Sequence, residues 1–232
     1  DEDVPPAEKA TQIAMANILE IFAYHILVDI FGDIPYTHAI GDDITPAYDD
    51  DAAIYATLIT NLDVAINNLK VASTWESYDV IYGGNVDSWK KLANSLKLKL
   101  AIRIADVDDA KAKRMAEEAV TAGVFTSSAD DFVLVYKATT PNTNPLWEDL
   151  VQSGRSDFVA ASTLVDAMNT MNDPRRSAYF YNPSSLTEYI GGAPGDNNSY
   201  SSTSQPGELQ RMPTFPSVMM DFCEVSFLLA DA

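Results

Sequence analysis

The sequence predicts an all-α protein assembled from helical hairpins. Four segments repeat apolar residues at spacings of three and four, and short connections marked by Gly, Pro and Asp separate them. One of these helices is apolar on two faces, the pattern of an element that lies between neighbours. With 232 residues, 47% hydrophobic and 10% aromatic, the chain has the material for a packed core and is unlike a disordered acidic tail.

The first helix is expected over about Ala7 to Phe31, with Ile13, Met15, Ile18, Phe22, His25, Ile26 and Ile30 as its periodic set. Gly32 and Pro35 punctuate its end. An acidic loop follows with Asp42, Asp43, Asp49 and Asp50, and Asp51 or a neighbour caps the second helix. That helix carries Ile54, Leu58, Leu62, Ile66 and Leu69. A polar and aromatic break, Ser73 to Val86, leads to the third helix, about Asp87 to Ala105. One of its stripes is Trp89, Leu92, Ala93, Leu96, Leu100 and Ile104; the other includes Leu98, Ala101, Ile102 and Ala105. Asp108 reads as the N-cap of a fourth helix, Asp109 to Ala122, which Gly123 ends. Phe132 to Tyr136 reads as a short extended piece, and Asn142 to Asn144 as part of a loop. A fifth helix is expected over Ala160 to Met171, before Asp173-Pro174. Tyr179 to Pro216 reads as irregular chain, and helix is expected again from Ser217, with Met219, Phe222, Cys223, Phe227 and Leu228. No repeat with a period of about 34 residues emerges.

Charge and rare residues narrow the chemistry. Lys+Arg 15 against Asp+Glu 34, a net charge of −19, argues against nucleic acid and against membranes recognised through basic patches. The single Cys223 rules out an internal disulfide and a Cys-based zinc site, and two histidines leave little room for His-based triads or metal centres. No run of about 18 apolar residues stands out as a membrane span. There is no G-x-S-x-G elbow and no Walker loop, and Gly191, Gly192 and Gly195 follow no strand. Cys223 reads as a buried core thiol, His25 as a packing residue, and His38 as a loop residue without a ligand role. Asp42, Asp43, Asp49, Asp50 and Asp51 lack the spacing of a calcium loop and read as caps and solvated groups. No cofactor and no metal are expected.

Aromatic residues in polar loops are the suggestive feature. Trp75, Tyr78 and Tyr82, with Tyr189 and Tyr200, sit among Ser, Asn, Asp and Gly. Sugar rings expose C–H faces that stack on aromatic rings while their hydroxyls hydrogen-bond to neighbouring polar groups. The alternative is that these rings plug the loops onto the helical core. Trp75, Tyr78 and Tyr82 are the candidate ligand-binding residues.

Particular motifs then point to a family. Phe31-Gly32-Asp33-Ile34-Pro35-Tyr36, directly after a long helix, resembles the FGDIPY signature of the SusD/RagB family. Ile54-Tyr55 with Leu62 to Ala65, Asp79 to Gly84 with Trp89 to Ile104, Asp173-Pro174-Arg175, and Glu224 to Ala232 resemble further family segments in the same order. Trp89-Lys90-Lys91-Leu92-Ala93-Asn94-Ser95-Leu96 is the heart of the third of these. The resemblance implies tetratricopeptide-like helical hairpins with long irregular loops. It implies a non-catalytic, lipid-anchored protein of the outer-membrane surface that captures glycans, or peptides in the RagB branch, for a SusC-like TonB-dependent transporter. Members begin with a lipidated Cys and continue beyond the helix ending here, so residues 1–232 are expected to be a single SusD-like domain shortened at its C-terminus. Two other classes stay open: an all-α glycoside hydrolase using a pair such as Glu76 and Asp87, and a helical-repeat adaptor.

Overall fold

Helix α1 spans Pro6–Phe31 and starts on a proline at N1, where the missing N–H is one the helix does not use. It stops at Gly32, whose φ of 70° suits glycine and whose N–H donates to Val28 O at 2.9 Å. Helix α2 spans Asp51–Asn68, and its cap is Asp50, which accepts from Ala53 N–H at 3.0 Å. Between them Ile34 and Asp49 form an antiparallel bridge, and the Asp49 carboxylate accepts from Tyr36 N at 2.9 Å and Thr37 N at 2.8 Å. Helices α3 (Val86–Arg103) and α4 (Asp109–Ala122) follow, with Asn85 and Asp108 as their caps. The structure, a computed structural model, describes residues 4–71 and 78–232.

The chain divides into two compact units, Asp1–Val133 with Val218–Ala232, and Leu134–Ser217. In the first, α1 packs on α2 and α3 on α4, the pairing of successive helices that periodicity and short connections predict. Its core takes Met15, Ile18 and Phe22 from α1, Ile54, Leu58 and Leu62 from α2, and Trp89, Leu92, Leu96, Leu98 and Leu100 from α3. Met115 and Ala119 of α4 complete it with Phe125 and Phe132. Both faces of α3 contribute buried residues, Leu92 and Leu96 on one stripe and Leu98 and Ala101 on the other, while Ile102, Ile104 and Ala105 at its end are half-buried.

Strand β1 (Phe132–Leu134) ends the first pass through this unit. The second unit holds α5 (Pro145–Trp147), which runs on into a π-helical turn, α6 (Ser162–Thr170) and α7 (Arg176–Tyr179). Strands β2 (Phe180–Tyr181) and β3 (Gln205–Pro206) pair antiparallel, with Phe180 opposite Pro206. Its small core is Ala160, Val165, Met168 and Phe180, with Tyr189 packed against it. The Asp173 carboxylate accepts from the Arg175 backbone at 2.9 Å and pairs with its guanidinium, which closes the Asp-Pro-Arg turn. Strand β4 (Ser217–Met220) pairs with β1, and α8 (Phe222–Asp231) packs on α3.

Several expectations need correction. Helix does not begin at Ser217: that stretch is β4, and α8 starts after Asp221, which accepts from Glu224 N–H at 2.7 Å as its cap. Ile13 and Ile30 lie on the solvent side of α1 at 51% and 64% exposure, because α2 covers the face carrying Ile18 and Phe22. Cys223 is exposed, since α8 turns Val225 inward and presents Cys223 outward. The short α5 stands where the sequence shows no helical periodicity; Asn144 caps it by accepting from Leu146 N–H at 2.7 Å. Finally, α1 is long and apolar enough by length and composition to cross a membrane. Part of that apolar surface is buried against α2, while Ile13, Leu27, Ile30 and Phe31 stay exposed.

Candidate functional site

The loop before α3 is organised by one carboxylate. Asp79 accepts from the N–H groups of Ile81 at 2.9 Å, Tyr82 at 3.1 Å and Gly84 at 2.7 Å, and from Trp89 Nε1 at 2.7 Å. Gly83 and Gly84 take φ values of 58° and 79°, which lets the chain fold back over that carboxylate. Burial opposes ionisation of Asp79, but the Trp89, Gly84, Ile81 and Tyr82 donors outweigh it and hold the carboxyl below its ordinary range. The turn is thus locked to the first turns of α3.

Two of the predicted aromatics lie on this turn, and they differ. Tyr78 is 80% exposed at its edge, its ring open to a ligand face. Tyr82 is half-buried: its ring meets Trp89 edge-on at 5.6 Å, and its hydroxyl donates to Asp130 O at 2.9 Å. Burial and the nearby Asp130, Asp131 and Asp79 push the Tyr82 phenol well above its ordinary range, so it stays a donor at any working pH. Lys91 borders the turn and pairs with Asp130 at 2.7 Å. Trp75, the third candidate, and Glu76 lie outside the described residues. Tyr189 and Tyr200 belong to the second unit, where Tyr189 packs 6.0 Å from Phe180 and takes the Arg176 guanidinium 5.7 Å from its ring centroid.

What this arrangement presents is the exposed ring of Tyr78 beside a turn whose carboxylate is already taken by four donors. Asp87, named as a possible acid, is solvated on the first turn of α3, 3.5 Å from Lys90. His25 is buried against Phe22, ring centroids 5.1 Å apart, and His38 is exposed. Among the described residues, the side chains grouped closely enough to share a cation are Asp33, Asp50 and Asp51, with oxygens within 4.8 Å of one another. All three are exposed; Asp50 is occupied as the α2 cap and Asp33 accepts from Asp51 N at 3.0 Å.

The sequence singles out the rings but not Asp79, the residue that organises the turn. The signal was present: an Asp followed by two glycines before a capped helix favours an Asx-type turn. Nothing local showed that Trp89, ten residues on, would donate to the same carboxylate.

Comparisons with known proteins now bear on this geometry. A family model described as starch-binding and associating with outer membrane matches residues 1–232. A chitin-binding SusD homolog from Flavobacterium johnsoniae is similar at 31% identity and a TM-score of 0.78, covering 94% of this chain and 46% of its own. A SusD homolog from Bacteroides uniformis shares 34% identity at a TM-score of 0.78, covering 94% of this chain and 47% of its own. A further chitin-binding protein shares 27% identity at a TM-score of 0.79, covering 99% and 52%. The chain therefore spans about half the length of these solved relatives. No curated protein matches it.

Proposed function

Because the chain belongs to the SusD-like family, whose model runs over residues 1–232, we propose that it is part of a non-catalytic protein that captures glycans at the outer membrane. The observation that carries the reading is its likeness to a chitin-binding SusD homolog at 31% identity over 94% of the chain. The Asp79 turn is consistent with it, since Tyr78 beside it offers an exposed ring of the kind sugar C–H faces stack on. Trp75, three residues earlier in the sequence, is proposed as a second ring, with Tyr82 as the wall that fixes the turn. Capture by stacking gives modest affinity and quick release, which suits delivery onward. The receiver in this proposal is a SusC-like TonB-dependent transporter, and the full-length protein is held at the surface by an N-terminal lipid.

Calorimetric titration with chitin oligomers, malto-oligosaccharides and short peptides tests this. Saturable binding of one glycan class is expected, weakened about 3- to 10-fold in Tyr78→Ala by loss of one stacking face. Peptide binding with no glycan response would replace the reading with a RagB-type one. Release of reducing ends, lost in Asp87→Asn, would replace it with hydrolysis.

A further inference from the structure

The two helical pairs of the first unit leave a cleft of about 400 Å³ among α1, α2, α3 and α4, lined by residues other than those of the Asp79 turn. Its floor is apolar, from Val28, Ile59 and Ile104. Its wall is a fixed network: Tyr55 donates its hydroxyl to Asp29 at 2.5 Å, and Arg103 Nη2 stands 2.9 Å from the other Asp29 oxygen. Burial and Asp29 push the Tyr55 phenol up, so this hydroxyl keeps its proton.

The polar groups at the mouth alternate in kind. Arg103, half-exposed, has donors beyond the one turned to Asp29. Lys111 lines the mouth with no ion-pair partner within 4.0 Å among the described residues. Asp51 and Asp108 supply acceptors, and Asp108 has committed one oxygen to Lys111 N–H at 3.1 Å. An anion would face Asp29, Asp51 and Asp108; a cation would face Arg103 and Lys111. A neutral ring bearing hydroxyls meets neither penalty. Each hydroxyl both donates and accepts, and the C–H face lies on the apolar floor. The volume falls in the range of small-ligand pockets, about 300–1,000 Å³.

We infer that this cleft is a second carbohydrate site, taking a short neutral sugar independently of the rings at Tyr78 and Trp75. The inference rests on the glycan reading above and extends it from one contact to two. Two contacts on one chain would give a polymeric glycan an avidity that neither site supplies alone.

Methyl-detected NMR of the chain, titrated with N,N′-diacetylchitobiose, maltose and tri-alanine, tests it. At least one disaccharide should shift the methyls of Ile59, Ile104 and Val107 saturably. Ala56→Trp, which places a ring in the cleft from an exposed position on α2, should erase those shifts while calorimetry still reports glycan binding at the Asp79 turn. Lys111→Met, in the first turn of α4, gives an independent check with binding about tenfold weaker. Cleft methyls unmoved by every sugar, or moved only by tri-alanine, would overturn the second site, as would shifts surviving Ala56→Trp. If glycan binding at the Asp79 turn persists in those cases, only the second site falls; if both contacts are silent, the glycan reading falls with it.

Discussion

His25 shows how one buried side chain couples the fold to pH. It is 1% exposed, and burial, followed by the Lys99 charge, lowers its pKa from 6.5, with Asp29 opposing. The native state therefore holds it neutral at a pH where the unfolded chain already binds the proton. Its stability contribution is complete above pH 6.5 and declines as the pH falls from there towards the lowered folded value. His25→Leu is expected to lose less melting temperature than the parent between pH 7.5 and 5.5, followed by circular dichroism. Equal losses would place the acid sensitivity elsewhere, since the only other histidine, His38, is exposed. Asp79 makes a related point at the candidate site: a residue readable as one of 34 acids turns out to hold four donors.

Helix α3 is the element that joins the first unit, and its polar residues do the joining. Asn94 Nδ2 donates to Gly123 O at 3.1 Å and Ser95 Oγ accepts from Phe125 N at 3.0 Å, so the chain leaving α4 is pinned to α3. This is a physical reason for an Asn-Ser pair on a buried helix face: two backbone groups need partners there. Lys97 extends from the same helix to Asp63 of α2 at 2.9 Å and Glu118 of α4 at 2.6 Å. Burial works against the ammonium, but the Glu118 and Asp63 hydrogen bonds outweigh it and raise its pKa. Each carboxylate alone can satisfy Lys97, so Asp63→Asn and Glu118→Gln should each cost under about 1 kcal/mol. Together they leave a largely buried cation unpaired and should cost more than their sum, about 2 kcal/mol or more. Adding Lys97→Met to the double variant should recover much of that loss in a denaturant titration. Strict additivity would mean that the three groups do not act as a unit.

For the whole molecule, 34 acidic against 15 basic residues set the dominant electrostatic term. Ion pairs such as Lys113–Glu117, Arg114–Glu118 and Arg155–Asp157 are exposed and contribute little, whereas like-charge repulsion acts over the entire surface. Raising NaCl from ~10 mM to ~300 mM shortens the screening length to within about 6 Å and is expected to raise the melting temperature by a few degrees. A fall in melting temperature would show that the salt bridges outweigh the repulsion. Two compact units also make separate transitions a natural outcome in a calorimetric scan.

Periodicity made the helices of the first unit legible because a helix that buries one face must repeat its apolar residues at that face's spacing. Asp108 and Gly123 marked α4 correctly, since caps act within four residues of the backbone groups they satisfy. The family motifs were legible for the same reason: FGDIPY is a helix stop followed by a locally bonded loop. Tertiary structure decided the rest. Whether Ser217 to Met220 is strand depended on β1, far away in sequence. Which face of α1 is covered, and that Cys223 points outward, depended on where α2 and α3 pack. The cleft beside Tyr55 exists because Asp29, Tyr55 and Arg103 meet from three helices, a juxtaposition that no window of sequence contains.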